Sequence, residues 1–442
     1  MKTRSNFFNA AILALLFMSI IACTNQPSGN EQNQRLSEYE AIQDSLQQGW
    51  NSYNTRDVLS QVLMPEGLMV SYDLKYQGKN IGGYLNSAVF YDGEEWSDAR
   101  VQPQAHAPDG SYSKMHLAWE DVETLIETAH HQGNLLVLFT PAADLKHPSS
   151  AIIRPGFLWN KPGRITARDG FIRAQAKGRS TDIYPVTDTV QDFNVDAANA
   201  YFALPLNDGP AALATGKAYS LEEVKQLIAQ KRNAFRNKAR QYSGKLADAW
   251  EGVTTAISWN TIYEPVHKRV VSTVDWSWNK KRGGYSFFGW DNFFLAYIAG
   301  INSKELAFAN AIEHVHETPE AGFVPNCSQG NGRMTWDRSQ PPVGSMMIRE
   351  IYKRYPEKWF LDTTFEALLT WNRWWNENRM YKGMLAWGSH DAKNPFNDGC
   401  FHDICGASLE SGMDDSPMYV DVPFNTEQDV MRLHDVGLNS LY

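Results

Sequence analysis

The residues best suited to chemistry fall into four clusters in the second half of the chain. They are Gly289-Trp290-Asp291-Asn292-Phe293-Phe294; Gly322-Phe323-Val324-Pro325-Asn326 with Ser339-Gln340-Pro341-Pro342; Trp387-Gly388-Ser389; and Glu410-Ser411-Gly412-Met413-Asp414-Asp415-Ser416-Pro417. Each mixes an aromatic ring or a glycine with a polar group. A sugar site needs this combination, because rings cover the apolar face of a pyranose while carboxylates and amides fork onto its hydroxyls. Glu410, Asp414 and Asp415 place three carboxylates within six residues. Like charges at close range raise one another's pKa, so one of them can keep a proton for donation. A general acid protonating a glycosidic oxygen has that requirement, matched by a second carboxylate that activates water or attacks directly.

Taken singly, each cluster has a plainer explanation. The acidic run suits a solvated turn or a Ca²⁺ loop, and Asp291 suits a helix first turn, where the dipole favours an anion. Gln340 to Pro342 reads as a helix start with proline near the first position. Trp371, Trp374 and Trp375 stand at i, i+3 and i+4, a stripe assigned to packing.

The elements that position these clusters are of two kinds. Met64 to Leu213 offers short runs rich in Val, Ile, Tyr and Phe between Gly, Asp, Asn and Pro: 67–76, 88–91, 134–139, 164–174 and 200–204. These read as strands of an antiparallel sandwich, interrupted by one helix over 118–131. At Ser220 the pattern changes, since Ser220-Leu221-Glu222-Glu223 is a capping box, and Val224, Leu227, Ile228 and Phe235 follow at helical spacing. Further helices are expected over 245–263, 291–299, 303–317, 342–354 and 358–378, and 425–442 reads as a helix in progress. The intervening loops 322–340 and 383–410 are long, and long loops on a helical scaffold usually bind something.

The chain has 442 residues and a net charge of −9, which argues against nucleic acid as a partner. Eleven of its fifteen tryptophans follow position 216, so aromatic surface is concentrated in the helical half. Lys2 and Arg4 precede an apolar run from Phe7 to Ala22, shaped like a secretory signal. The run ends Ile20-Ile21-Ala22-Cys23, resembling a bacterial lipobox. Residues 1–22 are therefore expected to be a lipoprotein signal peptide, Cys23 the lipidated residue and 23–35 a flexible tether, giving a protein anchored in the cell envelope, on its periplasmic face or at the surface. In an exported protein Cys400 and Cys405 are the best-placed pair for a disulfide, although a buried free thiol fits any of Cys327, Cys400 and Cys405. With His402 they suggest a metal site only weakly; no metal and no cofactor are expected.

The order Trp-Asp, Pro-Asn, Gln-Pro-Pro, Trp-Gly-Ser and Glu-Ser-Gly-Met-Asp-Asp-Ser-Pro resembles glycoside hydrolase family 63 and its clan relatives, the family 37 trehalases and the bacterial mannosylglycerate hydrolases. The resemblance runs from about Lys245 to Tyr442. It implies a β-sandwich (36–215) followed by a partial (α/α)₆ toroid (216–442), and inverting hydrolysis of α-glycosidic, above all α-glucosidic, bonds. The substrate it implies is an oligosaccharide or α-linked disaccharide. Asp414 matches the family's general acid, with Asp415 its nearest rival. Trp290 and Asp291 match residues that floor the sugar subsite and grip its hydroxyls; Asn326, Gln340 and Trp387 match further contacts. Glu410 is expected to bind sugar or to tune the acid.

The family's general base is a Glu far beyond the acid in sequence, and no residue here matches it. With six or seven candidate helices from Lys245 where a ring needs twelve, the chain is expected to be part of a longer hydrolase. The alternatives are a non-catalytic glycan-binding surface lipoprotein and a polysaccharide lyase using His390 and Arg333.

Overall fold

The computed structural model describes residues 29–442 except 54–56, 77–82, 90–98, 143, 193–194, 196–197, 247, 275–284, 319–320 and 397, with side chains from Arg35 onward. The expected signal peptide, 1–22, and the expected lipidation residue Cys23 lie outside the described residues. Residues 29–35, expected as tether, are not irregular, since the first helix α1 spans Gly29–Leu46. Residues 42–442 form one compact unit.

Among the described residues, fourteen strands then make two antiparallel sheets. The six-stranded sheet contains β1 (Gly49–Asn51), β2 (Ser60–Met64), β3 (Leu68–Tyr76), β4 (Gly83–Leu85), β9 (Ser149–Phe157) and β13 (Phe202–Pro205). The eight-stranded sheet contains β5 (Arg100–His106), β6 (Tyr112–Trp119), β7 (Val122–His131), β8 (Asn134–Pro141), β10 (Gly163–Arg168), β11 (Phe171–Ala176), β12 (Arg179–Pro185) and β14 (Ala211–Thr215), in the order β10-β11-β12-β14-β8-β7-β6-β5. One apolar core joins the two sheets; Val70, Tyr72 and Ile153 from the first and Met115, Ile126, Val137 and Phe139 from the second are fully buried within it. Buried faces of two sheets packed on one another are the sandwich arrangement.

The helix expected over 118–131 is a β-hairpin. Trp119 pairs with Val122 across the two-residue turn Glu120-Asp121, with Glu120 at φ 52°. Val122, Thr124, Ile126 and Thr128 point inward with a period of two, and β-branched residues at that period favour a strand over the helical count of apolar residues. The single strand expected over 164–174 is likewise β10 and β11 joined by Asp169-Gly170, a two-residue hairpin turn. Ala88 and Val89 belong to no strand, and the rest of that expected run lies outside the described residues.

Helices follow: α2 (Leu221–Ala239), α3 (Ala249–Trp259), α4 (Gly289–Ala299), α5 (Lys304–His316), α6 (Gly344–Arg354), α7 (Lys358–Asn378), α8 (Ile404–Glu410) and α9 (Val436–Leu441). The capping box is present: Ser220 Oγ accepts from the Glu223 N–H, and Glu223 accepts from the Ser220 N–H. One face of α2, with Val224, Ile228 and Phe235, packs on the outer face of the eight-stranded sheet through Leu136, Leu138, Ala212 and Ala214. The tryptophan stripe of α7 is core: Trp371, Trp374 and Trp375 are buried, and Trp371 stacks on Phe293 of α4 with centroids 5.9 Å apart.

The helix expected over 425–442 is confined to α9. Before it, 424–425 pairs with 430–431, and this segment also leans on 387–389: Met431 N–H donates to Trp387 O (2.8 Å) and Ser389 N–H to Asp429 O (3.0 Å). Strand-like pairing buries Val430 and Met431 completely and outweighs their local helical spacing.

Removing the capping hydroxyl tests the junction between sheets and helices. Ser220→Ala is expected to lower stability by about 1 kcal/mol and Ser220→Gly by only a few tenths, read from the urea midpoint; an unchanged midpoint in Ser220→Ala would show that the cap contributes nothing.

Candidate active site

The described loops 322–340 and 383–410 fold toward the N-terminus of α4. Two orphan donors of that helix are satisfied from the first loop, since Gly289 N–H donates to Asn326 O (3.1 Å) and Trp290 N–H to Gln340 Oε1 (3.0 Å). The amide of Asn326 donates to Leu409 O (3.0 Å), tying this loop to α8. Gln340 is thereby a helix cap as well as a wall residue.

A cleft of about 580 Å³ opens there, lined by Trp290, Asp291, Asn326, Arg338, Gln340 and Asp414, together with Val274, Phe288, Cys327, Phe396, Asp398, Cys400, Leu409 and Gly412. Its size and mix of rings, amides and carboxylates fit a small polar ligand. Gly412 is required at its position: φ is +68°, and a Cβ there would lie 2.7 Å from Trp290 Cε2. The chain leaving α8 turns through this left-handed residue directly against the indole, and Asp414 follows two residues later.

Burial is the main cause lifting the Asp414 carboxyl above the ordinary carboxylate range; the Asp415 charge adds to it and the Arg338 guanidinium opposes it. Asp291 is raised as well, by burial first and then by the charge of Asp414. Two acidic groups therefore share the cleft, each disposed to hold a proton longer than a free aspartate. Arg338 is itself buried, donating to Asp337 Oδ2 (3.0 Å) and Cys400 O (2.8 Å) and pairing with Asp398. Cys400 and Cys405 form a disulfide that joins this wall to the first turn of α8, while Cys327 is buried and takes no part in it.

Among the expected site residues, Trp290, Asp291, Asn326, Gln340 and Asp414 come together. Trp387 and Glu410 do not line the cleft. Trp387 is buried and donates from Nε1 to Asp435 Oδ2 (2.7 Å). Glu410 is fully buried and accepts from Arg379 Nε (2.8 Å) and Nη2 (2.9 Å), from Ser339 N–H (2.9 Å) and from Gly388 N–H (2.6 Å). With every lone pair turned inward it serves as a loop anchor rather than a sugar ligand. His390 and Arg333, the pair a lyase would need, are also outside the lining: His390 borders a separate hollow with Trp336, and Arg333 lies over Phe396, 5.3 Å from its centroid. Arg338, Asp398 and Phe396 were not singled out from sequence. The signal available was their position, beside Gln340 and within the long 383–410 loop.

Residues 290–439 match the family described as the mannosylglycerate hydrolase MGH1-like glycoside hydrolase domain. No curated protein matches the chain. Among solved structures, a bacterial glucoamylase complexed with acarbose is similar at 10% identity and a TM-score of 0.33, over 73% of this chain and 57% of that one. A putative kojibiose phosphorylase from human microbiome is similar at 10% identity and a TM-score of 0.36, over 71% and 50%. A polysaccharide lyase is similar at 10% identity and a TM-score of 0.24, over 84% and 72%. The chain thus spans between half and three-fifths of the length of the first two.

Gly412→Ala is expected to cost at least about 1–2 kcal/mol from its backbone alone and to displace the Trp290 indole. A lowered urea midpoint with a shifted tryptophan emission maximum would register both, whereas an unchanged spectrum would show that the indole does not rest on residue 412.

Proposed function

We propose that this protein is an exported, lipid-anchored glycoside hydrolase that cleaves α-glycosidic, most directly α-glucosidic, bonds with inversion. The observation that carries the reading is the meeting of Asp414, Asp291 and Trp290 in one cleft within the glycoside hydrolase-like stretch 290–439. Trp290 supplies the ring against which a pyranose lies; Asp291, Asn326 and Gln340 grip hydroxyls. Asp414 acts as general acid, delivering its proton to the glycosidic oxygen as the bond to the anomeric carbon breaks. The partial burial and the neighbouring Asp415 charge that raise its pKa suit this task, because an acid must remain protonated at working pH.

Inversion calls for a base on the opposite face of the sugar, separated from the acid by roughly 6.5–9.5 Å. The family resemblance implies a Glu for that role, and no further carboxylate of this cleft is assigned to it. Asp398 is engaged by Arg338, and Asp291 sits in the first turn of α4 beside the indole. Export and the lipid anchor rest on the lipobox-like run ending at Cys23.

The test is hydrolysis of a panel of α-linked disaccharides by the product of the whole gene, with the anomer first formed identified by NMR. The β-anomer is expected; the α-anomer would reject the reading. Asp414→Asn is expected to lower kcat by about 10²–10⁴-fold while binding persists. Activity is also expected to fall as pH rises through the raised pKa of Asp414, so this limb lies above the range of an ordinary aspartate.

A further inference from the structure

The outer face of the eight-stranded sheet is only partly covered. Helix α2 packs across β6, β7, β8 and β14, and the sheet continues past it through β12, β11 and β10. On these three strands the inward side is apolar, with Ile172, Ala174 and Ile183 buried. The register places Arg164 opposite Gln175, Arg168 opposite Phe171, and Arg173 opposite Asp182. Directly opposed residues share a face, so these side chains and Tyr184 stand together on the uncovered side. Arg164, Arg168 and Gln175 are exposed, and Phe171 and Tyr184 are half-buried.

The chemistry of this face departs from that of the whole molecule. The register places three cations, Arg164, Arg168 and Arg173, and one carboxylate, Asp182, on this face, in a protein of net charge −9. Phe171 and Tyr184 form a tilted pair, with centroids 5.3 Å apart and planes at 31°. Arg173 is held by a two-point fork to Asp182 (2.7 and 2.8 Å) and lies over Phe171, 5.3 Å from its centroid. Its charge is therefore answered within the protein and its plane braces the ring. Arg164 and Arg168 form no ion pair among the described residues. Four residues apart on β10, they stand about 13 Å from each other along the strand, on a rigid surface beside a ring platform.

We propose that the uncovered face of β10, β11 and β12 binds an acidic polysaccharide, with Arg164 and Arg168 pairing with its carboxylate or sulfate groups and Phe171 and Tyr184 carrying its sugar rings. Charge complementarity selects a polyanion. The braced aromatic pair and the exposed amide of Gln175 select a carbohydrate over a membrane surface or duplex DNA, neither of which lies on a ring platform; a nucleic-acid single strand, whose bases do stack on such rings, is disfavoured by the net charge of −9. The face shares no residue with the Trp290 cleft, so the inference stands apart from the hydrolytic reading.

Affinity electrophoresis of the whole chain through gels containing polygalacturonate tests it, with neutral dextran as control and parallel assays on phosphatidylglycerol vesicles and single-stranded DNA. Polygalacturonate is expected to retard the protein, less so as salt rises, and dextran is not. Arg164→Ser/Arg168→Ser is expected to weaken binding at least about tenfold, the scale of losing charge-assisted contacts. Phe171→Ala should also weaken it, both with an unchanged melting temperature. The proposal is overturned if the wild-type chain passes polygalacturonate unretarded, if dextran retards it equally, or if either variant keeps full affinity. It is overturned too if vesicles or DNA bind more tightly than polygalacturonate and Phe171→Ala leaves that binding unchanged.

Discussion

A carboxylate and a guanidinium with no exposed surface govern the arrangement of the helical half. Glu410 and Arg379 are both fully buried, and desolvating two charges costs several kcal/mol apiece unless geometry and further hydrogen bonds offset it. Here they do: a two-point fork joins the pair, Glu410 also takes the N–H groups of Ser339 and Gly388, and Arg379 also donates to Asp337 O (3.1 Å) and lies over Trp374 (4.6 Å to the centroid). The three backbone groups belong to two separate loops. Neither loop can move without leaving a buried charge short of a partner, so the pair defines where both must sit.

The cleft inherits this constraint. Ser339 precedes Gln340, whose side chain caps the N–H of Trp290; Gly388 follows Trp387, which pairs with the 429–431 segment; and Ser411 and Gly412 follow Glu410 and bring the chain against the indole. Ring, amide and acid thus reach one cavity from elements more than a hundred residues apart in sequence, although only Asp414 and its immediate neighbours are local to one another. Sites built on loops need this kind of support, because small misplacements of reacting groups cost large factors in rate.

Much of this was legible in the sequence where the signal is local. The Ser220 capping box, the tryptophan stripe of α7 and the strands at 68–76 and 134–141 follow from spacing alone, and the two long loops that wall the cleft stood out by length. Pairings across distance were not legible. Nothing near Glu410 points to Arg379, thirty-one residues earlier at the end of α7, so a structural carboxylate looked like a sugar ligand. Trp387 misled for the same reason, its indole N–H being taken by Asp435. Two helices were misread because apolar residues at helical spacing were also β-branched residues beside tight turns, and pairing with a neighbouring strand decided the outcome at Val122–His131 and at Val430–Met431. Net charge likewise hid a basic sheet face that only strand register brings together.

The central claim is that Glu410 organises the cleft from beneath its lining residues without being one of them. Amide hydrogen exchange on Glu410→Ala, compared with the unaltered chain, tests it most directly. Protection is expected to be lost in the peptides carrying Ser339 and Gly388 and in the first turn of α4, while the two β-sheets exchange as before. Undiminished protection at Ser339 and Gly388 would contradict it, for those two N–H groups would then owe their order to something other than this carboxylate.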